Sequence, residues 1–265
     1  MKIIIKITAI IFAISLIAGC NDATEPNDSG QNGVSGIEGL IMGQQSSNDS
    51  LQGAVIFESF GFINQNDPTM KINASFFETT ARNNMIDAGK LYIDNHVLEI
   101  ATHKYYPTNN NQYGYFDDIS STFGSDVQIG IEGSSYIDST SFSFYLPEII
   151  NVTTSNSDSI NKNQDYQLTW NQDPNNQNGV YILVSYSGSL NTDHINSSLP
   201  DTNITWKTNV SDNGSYTISS SVFSSMPVGG HIEIDVGRGN YGIFGDTQKF
   251  WVAGGTVDNQ GLILK

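Results

Sequence analysis

The amino-acid sequence predicts an all-β protein with two consecutive β-sandwich domains. Its β-branched and aromatic residues occur in short runs separated by glycine, asparagine, serine and threonine, a pattern typical of folds with many short strands. Charged residues make up only 14% of the chain, and no long stretch repeats its apolar residues with the 3.6-residue period of a helix. We therefore expect strands in both halves and at most single helical turns.

The first 19 residues have the features of a secretory signal peptide. MKIIIK carries two lysines, and the apolar run that follows is too short for a committed transmembrane helix. The closing sequence Ile17-Ala18-Gly19-Cys20 resembles the lipobox of bacterial lipoproteins. The resemblance implies that cleavage leaves Cys20 as the first mature residue and that lipid on this cysteine anchors the protein to a membrane of the bacterial cell envelope. Asn21 favours the outer membrane, on either its surface or its periplasmic side.

Residues 20–36 are predicted to form a flexible tether between the anchor and the folded part. They are rich in glycine, serine, proline and acids, and they contain no aromatic residue. Because Cys20 is the only cysteine of the chain, an internal disulfide is excluded. Packing and hydrogen bonds alone must therefore hold the two domains together.

The formal net charge of −16 bears on the class of partner. Such a charge repels the phosphates of nucleic acids, and the sequence has no basic stripe to override it. We therefore predict no nucleic-acid partner.

The predicted first domain, residues 37–148, contains segments in which apolar and polar residues alternate. Asp94-Asn95 lies between two of them and suits a tight hairpin, because these residues tolerate positive φ. Pro147 is expected to end the last strand after Leu146. The segments are LQGAVIFESFGFI, KINASFFETT, KLYIDNHVLEIAT, DVQIGIEG and SFSFYLPEII.

An aromatic segment in this domain, HKYYPTNNNQYGYFDD at residues 103–118, contains the candidate ligand site. Tyrosine rings on a rigid β scaffold stack on sugars, while amides and carboxylates bind the hydroxyls. A structural interpretation also fits: Tyr105 and Tyr115 end two strands, PTNNNQ is the turn between them, and the rings cap the core. The candidate binding residues are Tyr105, Tyr106, Tyr113, Tyr115, Asn110 and Asp117.

The predicted second domain, residues 149–265, resembles an immunoglobulin or fibronectin type III sandwich. The resemblance rests on strand-like segments at Leu168-Thr169-Trp170, 181–186, 215–218 and 231–236, which correspond in order to strands B, C, E and F. It implies that Trp170 packs between the two sheets. The disulfide of antibody domains is missing.

The whole arrangement also resembles uncharacterised lipoproteins of Bacteroidetes-type bacteria. The residues that carry this resemblance are Asp87-Ala88-Gly89, the segment DNGSYTI at 212–218, and Arg238-Gly239-Asn240. It implies a location and an architecture, and it implies no activity.

A search of the sequence for catalytic and metal-binding motifs predicts no enzyme. The chain lacks a nucleophile elbow, a phosphate-binding loop and a zinc helix motif, and its only cysteine is assigned to the lipid. Its four histidines, His96, His103, His194 and His231, lack ligand spacing. We predict no resident cofactor, with calcium as the alternative at the oxygen-rich loops 171–179 and 212–214. The same loop residues also suit ordinary turns.

These observations predict a membrane-anchored envelope lipoprotein that binds a glycan or a protein partner without catalysis. The alternatives are a structural or assembly subunit of an envelope complex and, third, a glycan-active hydrolase or lyase. A glycosidase needs two carboxyl groups about 5–10 Å apart. The adjacent Asp117-Asp118 cannot supply such a pair within one strand, because neighbouring side chains diverge.

Overall fold

A computed structural model of the protein describes residues 51–62, 69–78, 85–94, 96–101, 104–107, 121–154 and 158–265. Strands take up 53% of the residues in this part of the chain and helices 8%, which confirms the all-β prediction. Cys20 and the predicted tether lie outside the described residues. Within the described ranges, no helix is long and apolar enough to span a membrane.

Seven strands precede residue 148 and seven follow it in the described part of the chain. The first seven are β1 (Leu51–Phe62), β2 (Thr69–Phe76), β3 (Leu91–Ile93), β4 (His96–Ala101), β5 (Lys104–Pro107), β6 (Ser125–Ile131) and β7 (Thr140–Leu146). The others are β8 (Ser159–Ile160), β9 (Tyr166–Thr169), β10 (Val180–Tyr186), β11 (Ile204–Val210), β12 (Ser215–Ile218), β13 (His231–Phe244) and β14 (Lys249–Leu264). Two short helices are α1 (Gly188–His194) and α2 (Ser220–Phe223).

One large sheet contains most of these strands, in the order β11-β10-β13-β14-β1-β2-β5-β4-β3-β6-β7. Strand β8 joins it by pairing with the end of β14, and β9 and β12 form a separate two-stranded sheet. Strand β14 runs parallel to β1 and to β8, whereas the other pairs of the large sheet are antiparallel.

The described residues form three hydrophobic clusters, of which the smallest, with Ile56 of β1 and Trp251 of β14, lies on the opposite face of these strands from the first; the two larger ones are called the two cores. The first takes its buried side chains from β1–β4, β6 and β7, and it also includes Phe250 and Val252 of β14. The second contains side chains of β8–β10, β12, β13 and α2, together with Leu262 and Leu264 of β14. Strand β14 therefore contributes to both cores.

A long hairpin of β13 and β14 connects the two cores. The two strands stay paired from His231↔Ile263 to Phe244↔Phe250, a run far longer than the usual strand of about 5–6 residues. Alternate residues of β14 change character along the run, from Phe250 and Val252 through a polar stretch to Leu262 and Leu264. One face of β14 thus carries an apolar segment for each core, with a polar segment between them.

The predicted division at residue 148 into two sandwich domains is not confirmed. Strand β1 pairs along its length with β14, which comes from the end of the chain. Phe250 and Val252, assigned by sequence to the second domain, are 1% and 0% exposed in the first core. The two cores thus share a hairpin, and no single chain position separates them.

Local predictions agree better with the structure. Strands β3 and β4 form an antiparallel hairpin with Asp94 at a φ of 50°, and β7 ends at Leu146, as predicted. Gly89, at a φ of 77°, donates its backbone N–H to Asp87 Oδ1 over 2.8 Å, so Asp87-Ala88-Gly89 forms a turn. Helices α1 and α2 were not predicted, because both are too short to show a period.

In the second half, β9 pairs with β12, β10 with β13, and β13 with β14. These are the neighbours that the immunoglobulin sandwich assigns to strands B–E, C–F and F–G. Trp170 is 4% exposed in the second core. The relationship to that fold family stays a prediction.

Candidate functional site

The aromatic candidate site falls largely outside the described residues. Tyr105 and Tyr106 are consecutive residues of β5, where Tyr105 pairs with Ala74 and Ile100 and Tyr106 pairs with Glu99. Tyr113, Tyr115, Asn110 and Asp117 lie outside the part of the chain that the structure describes. Ligand binding by this segment stays a prediction.

The oxygen-rich loops 171–179 and 212–214, far apart in sequence, meet in the structure around Arg238. This side chain is 0% exposed and projects from β13 between the two cores. Its Nη1 lies 3.1 Å from Asp212 Oδ2 and 3.9 Å from Asp173 Oδ2. Its Nη2 donates hydrogen bonds to the backbone oxygen and to Oδ1 of Asn171. We call Arg238, Asp173, Asp212, Asn171 and Tyr145 the polar junction.

Asp173 ties the second half to β7 of the first. The Tyr145 hydroxyl donates to its two carboxylate oxygens over 2.9 and 3.0 Å, and the backbone N–H of Glu148 donates over 2.9 Å. Burial, followed by the hydrogen bond and the negative charge of Asp173, raises the pKa of Tyr145 to about 12. The tyrosine therefore remains a neutral donor throughout the physiological range.

Asp212 ties the junction to the second core. It accepts hydrogen bonds from Trp170 Nε1 over 2.8 Å and from Asn176 Nδ2 over 3.0 Å. Its contact with Arg238 is an ion pair in which the Nη1 group is not aligned for a hydrogen bond. Burial lowers the pKa of Arg238, and the charges of Asp212 and Asp173 oppose this shift. Because these charges are out of water, each is stabilised by the opposite charges around it.

The polar junction holds its charged groups in the interior of the protein, where they cannot contact a substrate. Asp173 is 2% and Asp212 7% exposed, so a ligand in solution has no access to their carboxylates. The cation that both loops contact is a guanidinium, where the sequence suggested calcium. Among the described residues, no group of three or more His, Cys, Asp and Glu side chains is placed to hold a metal ion. Calcium, the alternative to the predicted absence of a resident cofactor, stays untested.

The segment that leads from β7 into the second half is attached to the polar stretch of β14. Thr256 Oγ1 accepts the backbone N–H of Ile150 over 2.9 Å, and Asp258 Oδ2 accepts that of Val152 over 2.7 Å. Asp258 is 4% exposed. Burial raises its pKa, and the hydrogen bonds that Asp258 accepts from the backbone N–H groups of Val152 and Asn259 oppose the shift.

The raised pKa of Asp258 predicts how stability changes with pH. Above the ordinary aspartate pKa of about 3.9 the unfolded state loses this proton first, so the folded state binds more protons. The contribution of Asp258 to the free energy of unfolding therefore falls as the pH rises from about 4 through the folded-state pKa. We expect Asp258→Asn to make the slope of stability against pH more positive above about pH 4, measured by urea unfolding. An unchanged slope would contradict this assignment.

An open groove of about 600 Å³ lies on the outer face of β3, β6 and β7. Its lining combines an aromatic ring, a carboxylate, hydroxyls and a bare stretch of backbone, from Tyr92, Glu132, Ser139, Thr140, Ser141 and Gly130. Glu132 and both serines are exposed, and Tyr92 is half-buried. The backbone N–H of Lys90 donates to Glu132 Oε2 over 2.8 Å and so fixes the carboxylate.

The groove could not be found from the sequence, because its residues come from three strands and a loop. Tyr92 lies in KLYIDN and Gly130 in DVQIGIEG, both treated above only as strand segments. The loop beside it is held by hydrogen bonds from Gly133 N to Ala88 O over 2.9 Å and from Ser134 N to Ile137 O over 2.7 Å. These hydrogen bonds hold the loop beside the lining residues in place in the absence of a ligand.

No protein-family model, curated protein or solved structure matches this chain. The sequence and the geometry of the described residues are therefore the basis for assigning a function.

Proposed function

We propose that this protein is a lipid-anchored protein of the bacterial envelope that binds a glycan or a protein partner without converting it. The observation that carries the binding role is the open groove on β3, β6 and β7, where an aromatic ring, a carboxylate and hydroxyls are held on a rigid sheet. Such a mixture of apolar surface and a few polar groups is typical of recognition sites. The lipobox-like sequence ending at Cys20 supports the location.

The distribution of charge supports binding over reaction. Arg238, Asp173 and Asp212 are consumed in the polar junction, where they stabilise one another out of contact with solvent. Glu132 is the carboxylate among the lining residues, and a hydrolase of the usual kind would need the neighbouring Asp138 or another acid at about 5–10 Å as its partner.

A glycan array probed with the purified protein, followed by product analysis of each retained glycan, tests this proposal. We expect retention of a ligand and recovery of the same ligand unchanged. Shortened or unsaturated sugar products would instead identify a hydrolase or a lyase. If no glycan is retained, affinity capture from an envelope extract tests binding to a protein partner. Recovery of neither a glycan nor a protein would overturn the proposal.

A structural subunit is the second candidate, and the polar junction favours it. The junction joins loops of the second half to Tyr145 and Glu148 of the first, so that the two cores are held by buried ion pairs and hydrogen bonds. A rigid connection of this kind suits a spacer. The spacer role predicts a stable envelope complex in cross-linked cells and no retained glycan.

A further inference from the structure

The floor of the groove is formed where a glycine stands between two longer side chains of neighbouring strands. Gly130 of β6 lies opposite Tyr92 of β3 on one side and opposite Ser141 of β7 on the other. Directly opposite residues of antiparallel strands project from the same face of the sheet. The Tyr92 ring leans over this position, with Cδ2 3.7 Å from where a Cβ of residue 130 would lie, and the missing side chain leaves a shallow depression beside the ring.

We infer that this depression is a binding site for a neutral saccharide, an inference that rests on the proposed binding function. Tyr92 supplies an apolar ring surface next to the bare backbone of Gly130, and a sugar ring can stack on such a surface through its C–H groups. Glu132 accepts hydrogen bonds from sugar hydroxyls, while Ser139 and Ser141 can both donate and accept. One aromatic surface with polar groups on its rim matches a sugar, which has an apolar face and hydroxyls on its edge.

The local charge selects a neutral ligand over an acidic one. Asp94, Glu132 and Asp138 are exposed in or next to the lining segments, and they outnumber the nearby Lys90. A uronate or a sulfated sugar would therefore meet net repulsion, added to that of a chain with a formal net charge of −16. A neutral sugar does not pay this electrostatic cost.

The size of the groove favours a saccharide over a protein. The groove has a volume of about 600 Å³ and is wide open to solvent, so a ligand bound there would keep one face in water. A stable protein–protein interface buries on the order of 1,200–2,000 Å² in total, contributed by about 20–30 residues on each side. The few residues that line this groove fall well short of that.

Gly130→Val tests the site, because it fills the space beside the Tyr92 ring at a position where an added Cβ fits. A Cβ at position 130 would lie 3.5 Å from Tyr92 Cβ and 3.7 Å from Cδ2, which are ordinary van der Waals distances. Its φ is not in the left-handed region, and valine suits a strand. Tyr92→Ala removes the ring itself, and Tyr241→Ala, which alters a 49% exposed tyrosine of β13 outside the groove, is the matched control.

The full chain and these variants would be compared by affinity electrophoresis in gels that contain laminarin, xylan or galactomannan, with alginate as the anionic comparison. We expect at least one neutral polysaccharide to retard the full chain and alginate to leave it unaffected. Gly130→Val and Tyr92→Ala should each raise the Kd by about tenfold or more, while Tyr241→Ala leaves it unchanged. The melting temperature of Gly130→Val should stay near that of the parent.

Each other outcome counts against the inference. If no neutral polysaccharide retards the full chain, or if alginate is preferred, the ligand class is wrong. Retardation that Gly130→Val leaves unchanged would place the glycan site elsewhere, and the proposed binding function would survive. If Tyr92→Ala lowers the melting temperature, its binding result is discounted, and Gly130→Val alone decides.

Discussion

Replacing Arg238 with methionine is expected to lower the free energy of unfolding by about 3–5 kcal/mol. The variant removes the cation that lies 3.1 Å from Asp212 and 3.9 Å from Asp173. Both carboxylates would then stay buried without a counter-charge, and the carbonyl oxygen of Asn171 would lose its guanidinium donor. Urea unfolding followed by circular dichroism measures the loss as a shift of the midpoint.

The matched control is Lys207→Met, which makes the same kind of change at an exposed position of β11. It should alter stability by no more than about 0.5 kcal/mol. A triple variant that combines Arg238→Met with Asp173→Asn and Asp212→Asn should recover part of the loss, because it no longer buries unpaired charge. A loss below about 1 kcal/mol for Arg238→Met would show that the polar junction contributes little.

Residues 37–148, produced alone, are expected not to fold. Strand β1 pairs with β14 along its length in the whole chain, and this fragment has no β14. Loss of Phe250 and Val252 would also expose the side chains packed against them in the first core. Full burial of one such side chain contributes about 1.5–3 kcal/mol, and a domain is stable by only about 5–15 kcal/mol.

Circular dichroism and urea unfolding of fragment 37–148 would measure this effect, with fragment 37–265 as the control. The longer fragment should unfold in a sharp transition, and the shorter one should show only a gradual change of signal. A sharp transition of the shorter fragment would instead establish the independent first domain that the sequence suggested. The long hairpin would then be dispensable for the first core.

The local features of the fold were largely predictable. The turn at Asp94, the end of β7 at Leu146 and the strands around Trp170 follow from residue type and alternation within a few positions. The shared hairpin does not follow from such signals, because the alternation at 231–236 identifies only part of β13 and does not indicate its partner strand. The overlooked signal was the polar stretch Thr256, Asp258 and Gln260, which interrupts an otherwise apolar series of alternate residues.

The candidate sites show the same limit. The acids of loops 171–179 and 212–214 were recognised as oxygen-rich, but their cation, Arg238, is supplied by a strand distant in sequence from the first loop. In the groove, Tyr92, Gly130 and Ser141 become neighbours only through the register of β3, β6 and β7. Neither the polar junction nor the groove is marked by a local pattern in the sequence.

The sequence alone predicts that this protein is all-β. It also predicts the positions of the tight turns and of the strands in the second half. Those features depend on backbone preferences and on alternation between neighbouring residues, which are local properties. Only the tertiary structure decided that one hairpin serves both cores, that two acidic loops contact an arginine, and that a glycine opens a groove beside a tyrosine. These features depend on which distant strands pair and in which register, and that choice reflects the packing of the whole chain.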